Sequence, residues 1–226
     1  AVQKAGIDVG LVERQPIGEV IKANGEISYD QTRFASLSSR VPGTVCQVEK
    51  NVGDRVQAGD VLAVVDAVEV GRAKTELIRA LAQATLQEKI LVRLASLSTT
   101  GVVPSRRAQE AEAAHAYARA QVLSAQQSLH NLGLPVDVAQ LQELSEAELV
   151  EHLRRLGRPG SMGGRLDSSV WTANALPIRA PMDGLVVARQ AVVGEVVDTT
   201  RVLFQVADTR QMWLTLNVPL ADANRL

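Results

Sequence analysis

One short sequence phrase occurs twice in this chain of 226 residues, 141 positions apart, and it constrains the fold more than any other feature. The first copy lies at residues 43–65 and the second at 184–206, and the two align over 23 positions without a gap. Chance similarity between Val- and Gly-rich hairpins rarely extends so far, so the two copies are expected to share one structure. The matched pairs are Gly43 with Gly184, Val45 with Val186, Val52 with Val193, Gly53 with Gly194, Val56 with Val197, Val61 with Val202, Leu62 with Leu203 and Val65 with Val206.

Each copy has the pattern of short β-strands joined by tight turns. Valines alternate on either side of a Gly that is followed by an acid, Asp54 or Glu195, where the chain is expected to turn. A half of about 25 residues cannot bury a face by itself, because an isolated hairpin is only marginally stable in water. We therefore expect the halves to pack on each other as one β-sandwich, which a long insertion interrupts.

The insertion has the spacing of an antiparallel coiled-coil hairpin. Seam positions alternate by three and four residues, at 70, 73, 77, 80, 84, 87, 91 and 94 and again at 108, 111, 115, 118, 122, 125, 129 and 132. Between the two series, Gly101 and Pro104 interrupt the helical pattern and Ser105 can cap the second helix. With roughly 28 residues in each helix, the hairpin would project about 40 Å.

Folding the chain back at residue 101 predicts which seam residues face each other. Large residues would oppose small ones, which lets the helices approach closely. The expected pairs are Leu91 with Ala111, Leu94 with Ala108, Leu77 with Ala125 and Val122 with Ala80. Gln87 would face His115 as one polar layer that fixes the register. His115 could instead bind a metal ion, but one His beside one Gln is not a ligand set, which favours the structural interpretation.

The remaining segments complete the domain prediction. The sequence SEAE at 145–148 is typical of a capping box that opens a short helix to about Leu156, and the Gly- and Ser-rich residues 157–169 predict a mobile loop. Residues 7–35 and 210–220 alternate apolar and polar side chains and predict strands of another, incomplete β-domain. The predicted fold is α+β, elongated and multi-domain. Its parts are a partial β-barrel domain at 1–35 and 210–226, sandwich halves at 36–66 and 177–209, a helical hairpin at 67–132, and a short helix with a flexible loop at 133–176.

Composition argues against several classes of function. The 24 Lys and Arg nearly balance the 25 Asp and Glu, so nothing favours a nucleic acid as partner. No apolar run approaches the roughly 20 residues that span a bilayer. The chain begins at Ala1 without a signal-peptide pattern, so any signal peptide or lipid anchor is expected to have been removed. Cys46 is the single cysteine and is predicted to be a small core residue.

Catalytic and metal-binding patterns are also missing from the sequence. His115, His130 and His152 lie in helical patterns, and neither a nucleophile elbow nor an HExxH motif occurs. The methionines at 162, 182 and 212 are far apart, whereas a soft-metal site needs two or three that converge. We therefore expect a non-enzymatic protein with no cofactor and no metal site of its own.

The repeated phrase resembles the two halves of a lipoyl- or biotinyl-type β-sandwich. In carrier domains of that family a modified lysine sits on the turn that joins the halves. Here that turn region, residues 66–69, has no lysine, and Lys74 lies beyond it in the helical pattern. The resemblance therefore implies the sandwich fold and makes a swinging-arm carrier the less favoured function.

The order of outer strands, half-sandwich, hairpin, half-sandwich and outer strands resembles the periplasmic adaptors, or membrane fusion proteins, of tripartite efflux pumps. Residues 176–219 are most similar to the resistance-nodulation-division (RND) adaptors, especially their heavy-metal branch, and the short helix after LGLP fits that branch. The resemblance implies a periplasmic protein that bridges an RND inner-membrane transporter and a TolC-like outer-membrane channel and associates with itself into a ring. A membrane anchor, if there is one, is expected in a segment that this chain does not contain.

The same resemblance points to residues at the hairpin tip. RND adaptors share an Arg, a Leu four residues later and a Ser seven residues beyond that, around the bend that meets the channel. Arg93 and Leu97 match this pattern, while Pro104 takes the Ser position and Ser105 is the nearest hydroxyl. The competing interpretation is that Arg93 is a solvated helix charge and Leu97 covers the end of the seam. Among binding proteins, the alternative function is an adaptor of an ABC exporter or a type I secretion system.

Overall fold

A computed structural model describes residues 14, 20–98, 105–158, 173–220 and 222. The chain divides into two compact units, one formed by Tyr29–Gln211 and the other by Ala1–Ser28 with Met212–Leu226. The strands are β1 (Asn24–Tyr29), β2 (Phe34–Ser38), β3 (Gly43–Val48), β4 (Arg55–Val56), β5 (Val61–Asp66), β6 (Ala175–Arg179), β7 (Gly184–Arg189), β8 (Val196–Val197), β9 (Val202–Ala207) and β10 (Met212–Asn217). The helices are α1 (Val68–Ser98), α2 (Ser105–Asn131), α3 (Val138–Gln142) and α4 (Glu146–Arg155).

The larger unit contains one sandwich built from both copies of the repeat. One sheet has the order β2-β9-β7-β4 and the other β6-β5-β3-β8, so each sheet takes two strands from each half. The 141-residue offset relates β2, β3, β4 and β5 to β6, β7, β8 and β9 at every strand boundary. The prediction of a single split sandwich is confirmed. The structural repeat begins at Phe34, which is nine residues before the sequence similarity begins at Gly43.

Equivalent backbone hydrogen bonds from the turns of the two copies join the halves of the sandwich. The Gly53 amide donates to the Val186 carbonyl at 2.9 Å, and the Gly194 amide donates to the Val45 carbonyl at 2.7 Å. Both glycines have positive φ, 92° and 87°, which a residue with a Cβ rarely adopts. The glycine of the repeated Val-Gly-acid phrase is therefore required by backbone geometry at the contact between the halves.

The sandwich core consists of aliphatic side chains that the alternating pattern turns inward. Val45, Leu62 and Val65 of the first copy are fully buried, as are their counterparts Val186, Leu203 and Val206 of the second. At about 25 cal/mol per Å² of apolar surface removed from water, this shared core is the main stabilising contribution that neither half could provide alone.

Cys46 is exposed, and the prediction of a buried cysteine is wrong. The fully buried Val45 precedes it in β3, and successive strand residues point to opposite faces. The pairing of β3 with β5 also shifts between Val45 and Gln47, so Cys46 occupies a β-bulge. Alternation therefore turns its side chain away from the core. The Sγ atom donates to the Val64 carbonyl at 3.2 Å, and partial burial followed by the charge of Asp66 raises the pKa of the thiol.

The segment after the hairpin contains the predicted short helix and one that the sequence did not reveal. Helix α4 begins with a capping box in which Ser145 and Glu148 exchange hydrogen bonds, and Gly157 follows its end with φ 88°. Helix α3 was not predicted. Its N-terminal amide at Ala139 is capped by Asp137, and its five residues are too few to show helical periodicity. Most of the predicted loop at 157–169 lies outside the described residues.

The smaller unit contains a two-stranded sheet of β1 and β10, as expected for strands outside the sandwich. All six residues of β10 are exposed, including Trp213, Leu214 and Leu216. Residues 7–13 and 15–19 of the predicted strand region at 7–35 lie outside the described residues. The end of that region differs from the prediction, because Phe34 and Ala35 belong to β2 of the sandwich.

Candidate functional site

The two long helices form the predicted hairpin, and their buried residues follow the predicted seam. On α1 the seam residues from Val70 to Ala84 are buried, and Gln87, Leu91 and Leu94 are half-buried. On α2 Ala111, Ala118, Val122, Ala125 and Leu129 are buried, while Ala108 and His115 are half-buried. Lys74 and Leu81 are buried in addition, which widens the buried face of α1 near the sandwich. The hairpin is thus most tightly packed at its base and less so towards its tip.

The tip residues of the resemblance lie at the end of α1, where the described helix stops. Arg93 and Leu97 are both exposed, Leu97 by 42% of its surface. Within the described part of the chain, no hydrogen bond or ion pair involves the Arg93 guanidinium, although its backbone carbonyl accepts from the Ser96 hydroxyl at 2.8 Å. Pro104 lies outside the described residues, and Ser105 is the first residue of α2. The role of all four in docking stays a prediction.

Gln87 and His115, the predicted polar layer, are both half-buried at seam positions. Gln87 lines a groove between the helices together with Ala114, the residue before His115. This placement supports the predicted register, while direct contact between the two side chains stays a prediction.

The groove runs along one face of the hairpin and has a volume of about 1040 Å³. Small residues such as Ala80, Ala114 and Ala118 are among those that line it. Arg79 and Gln83 of α1 and the 68% exposed Tyr117 of α2 border it. An open groove with apolar and polar walls can accept another elongated element, such as a helix.

Two basic side chains fasten the base of the hairpin. The Lys74 ammonium on α1 donates to the carbonyls of Leu156 and Ala173, at 2.7 and 2.6 Å. Burial and, to a smaller degree, the charge of Arg158 lower the pKa of Lys74 to about 8. On the other helix, Arg40 of the sandwich donates to the Asn131 carbonyl at 2.7 Å, where the helix dipole also favours a positive charge. These bonds join both helices to the rest of the larger unit.

Neither a metal site nor a membrane-spanning helix is evident where side chains are described. Over residues 20–98, 105–158 and 173–220, no cluster of three or more His, Cys, Asp or Glu has an arrangement that could hold a metal ion. Among the described helices, none is both long and apolar enough to cross a membrane.

A family model that matches the sequence describes the same kind of fold, a sandwich domain. The model of the CzcB-like barrel-sandwich hybrid domain matches residues 33–208, which covers most of the chain and both copies of the repeat. The chain belongs to the CzcB-like barrel-sandwich hybrid family. The resemblance to the heavy-metal branch of the adaptors is therefore confirmed at the level of family.

Relatives of this CzcB-like chain include metal-resistance proteins. The nickel and cobalt resistance protein CnrB of Cupriavidus metallidurans is 29% identical over 98% of this chain and 47% of its own length. The nickel-cobalt-cadmium resistance protein NccB of Alcaligenes xylosoxydans xylosoxydans is 28% identical over 98% of this chain and 47% of its own length. The chain thus spans about half the length of these relatives.

Solved structures agree with the CzcB-like fold. ZneB of Cupriavidus metallidurans superposes with a TM-score of 0.55 at 24% identity, over 89% of this chain and 71% of ZneB. A MacA-MexA chimera that contains the α-hairpin domain of Pseudomonas aeruginosa MexA also gives 0.55, at 18% identity, over 91% of this chain and 57% of the chimera. At this level of identity the agreement concerns the fold alone.

Lys74 and Arg40 were not identified as site residues from the sequence. Lys74 lies next to seam position Ala73 and one turn before the partly buried Ile78, so its position beside the apolar stripe was a signal for burial. Arg40 carried no comparable signal, because its partner Asn131 is 91 residues away in the chain. Both bind main-chain carbonyls at the base of the CzcB-like hairpin, whereas the residues predicted from the resemblance lie at its tip.

We expect the substitution His115→Leu to leave the protein as stable as the original or to stabilise it by up to roughly 1 kcal/mol, because a polar seam layer fixes register at a cost in stability. Thermal melts with and without zinc or copper measure this, with His130→Leu on the exposed end of α2 as the control for adding a leucine. A metal-dependent rise in the melting temperature that His115→Leu removes would contradict the structural role and assign a metal ligand instead.

Proposed function

We propose that this protein is a non-enzymatic periplasmic adaptor that links an RND inner-membrane transporter to a TolC-like outer-membrane channel. The observation that carries the proposal is the family match over residues 33–208, which spans the sandwich and the hairpin inserted in it. A sandwich whose two sheets each combine strands of both halves, with a long hairpin inserted in it, has the parts of a connector, namely a body and an arm.

The proposed cargo is heavy-metal cations. This proposal is supported by the relatives, whose names state resistance to nickel, cobalt and cadmium. In this account the metal is transported by the assembled pump, and the described residues of this chain are not its binding site.

The hairpin tip is the proposed contact with the channel. A guanidinium such as Arg93 can donate two parallel hydrogen bonds to carbonyls or carboxylates, and the exposed Leu97 adds apolar area one turn away. Pro104 in place of the Ser of other adaptors leaves Ser105 as the candidate third contact. The fastened hairpin base supports this role, because an arm that is fixed at its origin presents its tip in a defined direction.

Self-association into a ring in the assembled pump is the second proposed contact. Its candidate surface is the groove between α1 and α2, since a groove lined by alanines and by Arg79, Gln83 and Tyr117 fits a helix of a neighbouring copy. The carrier-domain alternative is opposed by Lys74, because its ammonium is buried and bonded to two carbonyls rather than placed on a turn.

The proposal is tested with the full-length protein in the bacterium that carries its gene. Deleting the gene is expected to raise sensitivity to at least one of nickel, cobalt, cadmium or zinc, and the tagged protein is expected to co-purify with a twelve-helix RND permease after crosslinking. Co-purification with an ABC ATPase would replace the proposal by the exporter alternative. Unchanged metal sensitivity together with raised sensitivity to organic compounds would retain the adaptor and reject the metal cargo.

A further inference from the structure

The pseudo-symmetry of the sandwich shows that the chain leaves it at two equivalent places. The 141-residue offset pairs Ala67 with Asp208 and Arg33 with Asn174. At the first place the Ala67 amide donates to the Asn174 carbonyl at 3.0 Å, and at the second the Asp208 amide donates to the Arg33 carbonyl at 3.0 Å. The backbone bond is the same, but the elements that follow differ. The hairpin begins at Val68, whereas the smaller unit begins again at Met212.

The first of these places, the exit at Ala67, is stabilised by the packing of helix α1 against the returning chain at Asn174. Helix α1 starts one residue after Ala67, and its Gly71 lies so close to the Asn174 side chain that an added Cβ would collide with it. Lys74, one turn later, donates to the carbonyl of Ala173. The chain that returns at residues 173 and 174 is therefore held against α1 by close packing and by a hydrogen bond from Lys74, without an ion pair among the described residues.

At the second exit no α-helix follows Asp208 in the described residues up to Leu220, and ion pairs hold the two segments together. The Asp208 carboxylate is 9% exposed and accepts from the Arg33 guanidinium at 3.0 Å. It also accepts from the Arg210 backbone amide at 3.0 Å and from the Arg210 guanidinium at 2.7 to 3.2 Å. The hydrogen bonds from Arg210, followed by the charge of Arg33, hold the pKa of Asp208 far below its usual range, so it stays ionised at any physiological pH.

The incoming segment at this exit is ordered by its own turn. Asp30 accepts from the Thr32 amide at 2.8 Å and caps a 3-10 turn over Gln31–Arg33, and the rings of Tyr29 and Phe34 stack at 6.1 Å. Arg33, at the end of that turn, is the residue that reaches Asp208. The incoming and the outgoing segment thus both bind the carboxylate of Asp208.

We propose that Arg33, Asp208 and Arg210 form a charge clamp that holds together the two segments through which the sandwich is joined to the smaller unit, and that backbone motion at this junction is thereby confined to residues before Asp30 and after Arg210. Arg33 provides the bond between the segments, and Arg210 orders the outgoing turn. The clamp holds the outgoing and incoming segments together at the second exit, as helix packing does at the first.

Hydrogen exchange of single amides in the folded chain tests the clamp. Asp208→Asn and Arg33→Gln are expected to accelerate exchange at the residue 208 amide by about tenfold or more, because both remove the bond between the segments. The Ala67 amide is the internal control, because it makes the equivalent backbone bond without a clamp, and it is expected to keep its original rate. Arg210→Gln is expected to accelerate exchange less than Arg33→Gln, because its contacts are local.

Asp198→Asn is the matched control variant. Asp198 is exposed and its carboxylate also accepts from amides two and three residues later, those of Thr200 and Arg201, but it makes no described bond to a second segment. It should leave the residue 208 amide unchanged. Original protection of that amide in both Asp208→Asn and Arg33→Gln would overturn the clamp. Equal acceleration at residues 67 and 208 would also overturn it, because the charges would then contribute only to general stability.

Discussion

Arg93→Asp is expected to abolish efflux-dependent metal resistance and crosslinking to the outer-membrane channel while leaving helix content and melting temperature almost unchanged. The physical reason is that Arg93 is exposed near the end of α1 and, in the part of the chain that the structure describes, its guanidinium makes no hydrogen bond or ion pair that the substitution would remove. A reversed charge would repel the carbonyls or carboxylates that a guanidinium binds. Minimum inhibitory concentrations of nickel and cobalt, measured beside circular dichroism melts, check both halves of the prediction.

The matched control for Arg93→Asp is Lys89→Asp, which reverses an exposed positive charge one turn earlier on the same helix. The Lys89→Asp variant should retain metal resistance if the loss in Arg93→Asp is caused by a contact at the hairpin tip. Full resistance in Arg93→Asp, or a loss of resistance that follows the loss of folded protein, would show that Arg93 is an ordinary solvated charge. Equal loss in both variants would assign the effect to the charge of the whole helix.

Lys74→Met is expected to lower the free energy of unfolding by roughly 1–3 kcal/mol at pH 7, because it leaves the carbonyls of Leu156 and Ala173 without their donor in a buried setting. Chemical denaturation of the two proteins measures this difference. Lys89→Met, at an exposed position of the same helix, is the control and should change stability far less.

The pH dependence of the Lys74 contribution has a defined sign. Burial lowers the folded-state pKa to about 8, whereas the unfolded chain keeps the ordinary value of 10.5. Between these values the unfolded state binds more protons, so the contribution of Lys74 to stability rises with pH, by up to roughly 1.4 kcal/mol per pH unit. The difference in unfolding free energy between the original protein and Lys74→Met should therefore increase from pH 8 to pH 10. A difference that stays flat or decreases over that range would contradict the burial of a charged lysine.

The sandwich could be predicted from the sequence because the same local pattern was present twice. Val-Gly-acid turns with flanking valines specify backbone geometry and burial together, so the copies located β3 to β5 and β7 to β9. The strands β2 and β6 obey the same offset but were not recognised as a repeat, since their sequences FASLS and ALPIR share no residue at equivalent positions. Two strands can thus occupy equivalent places in the sandwich although their side chains differ.

The helical seam could be predicted for a similar reason, because alternating intervals of three and four over two long series leave little choice of structure. Contacts between distant residues could not be predicted in this way. Arg33 and Asp208 are 175 positions apart and Lys74 and Leu156 are 82 apart, and neither pair leaves a local pattern. The tip residues Arg93 and Leu97 were predicted from a resemblance to RND adaptors, and their exposure is compatible with docking and with simple solvation alike.

A photoreactive amino acid placed at position 97 in the full-length protein tests most directly whether the hairpin tip docks on an outer-membrane channel. Leu97 is exposed on α1 near the tip, and Tyr117 on α2 borders the groove at a distance from it. Irradiation of living cells is expected to join position 97 to an outer-membrane channel protein and position 117 to a second copy of this chain. Absence of a channel adduct from position 97 in cells that retain metal resistance would contradict the account.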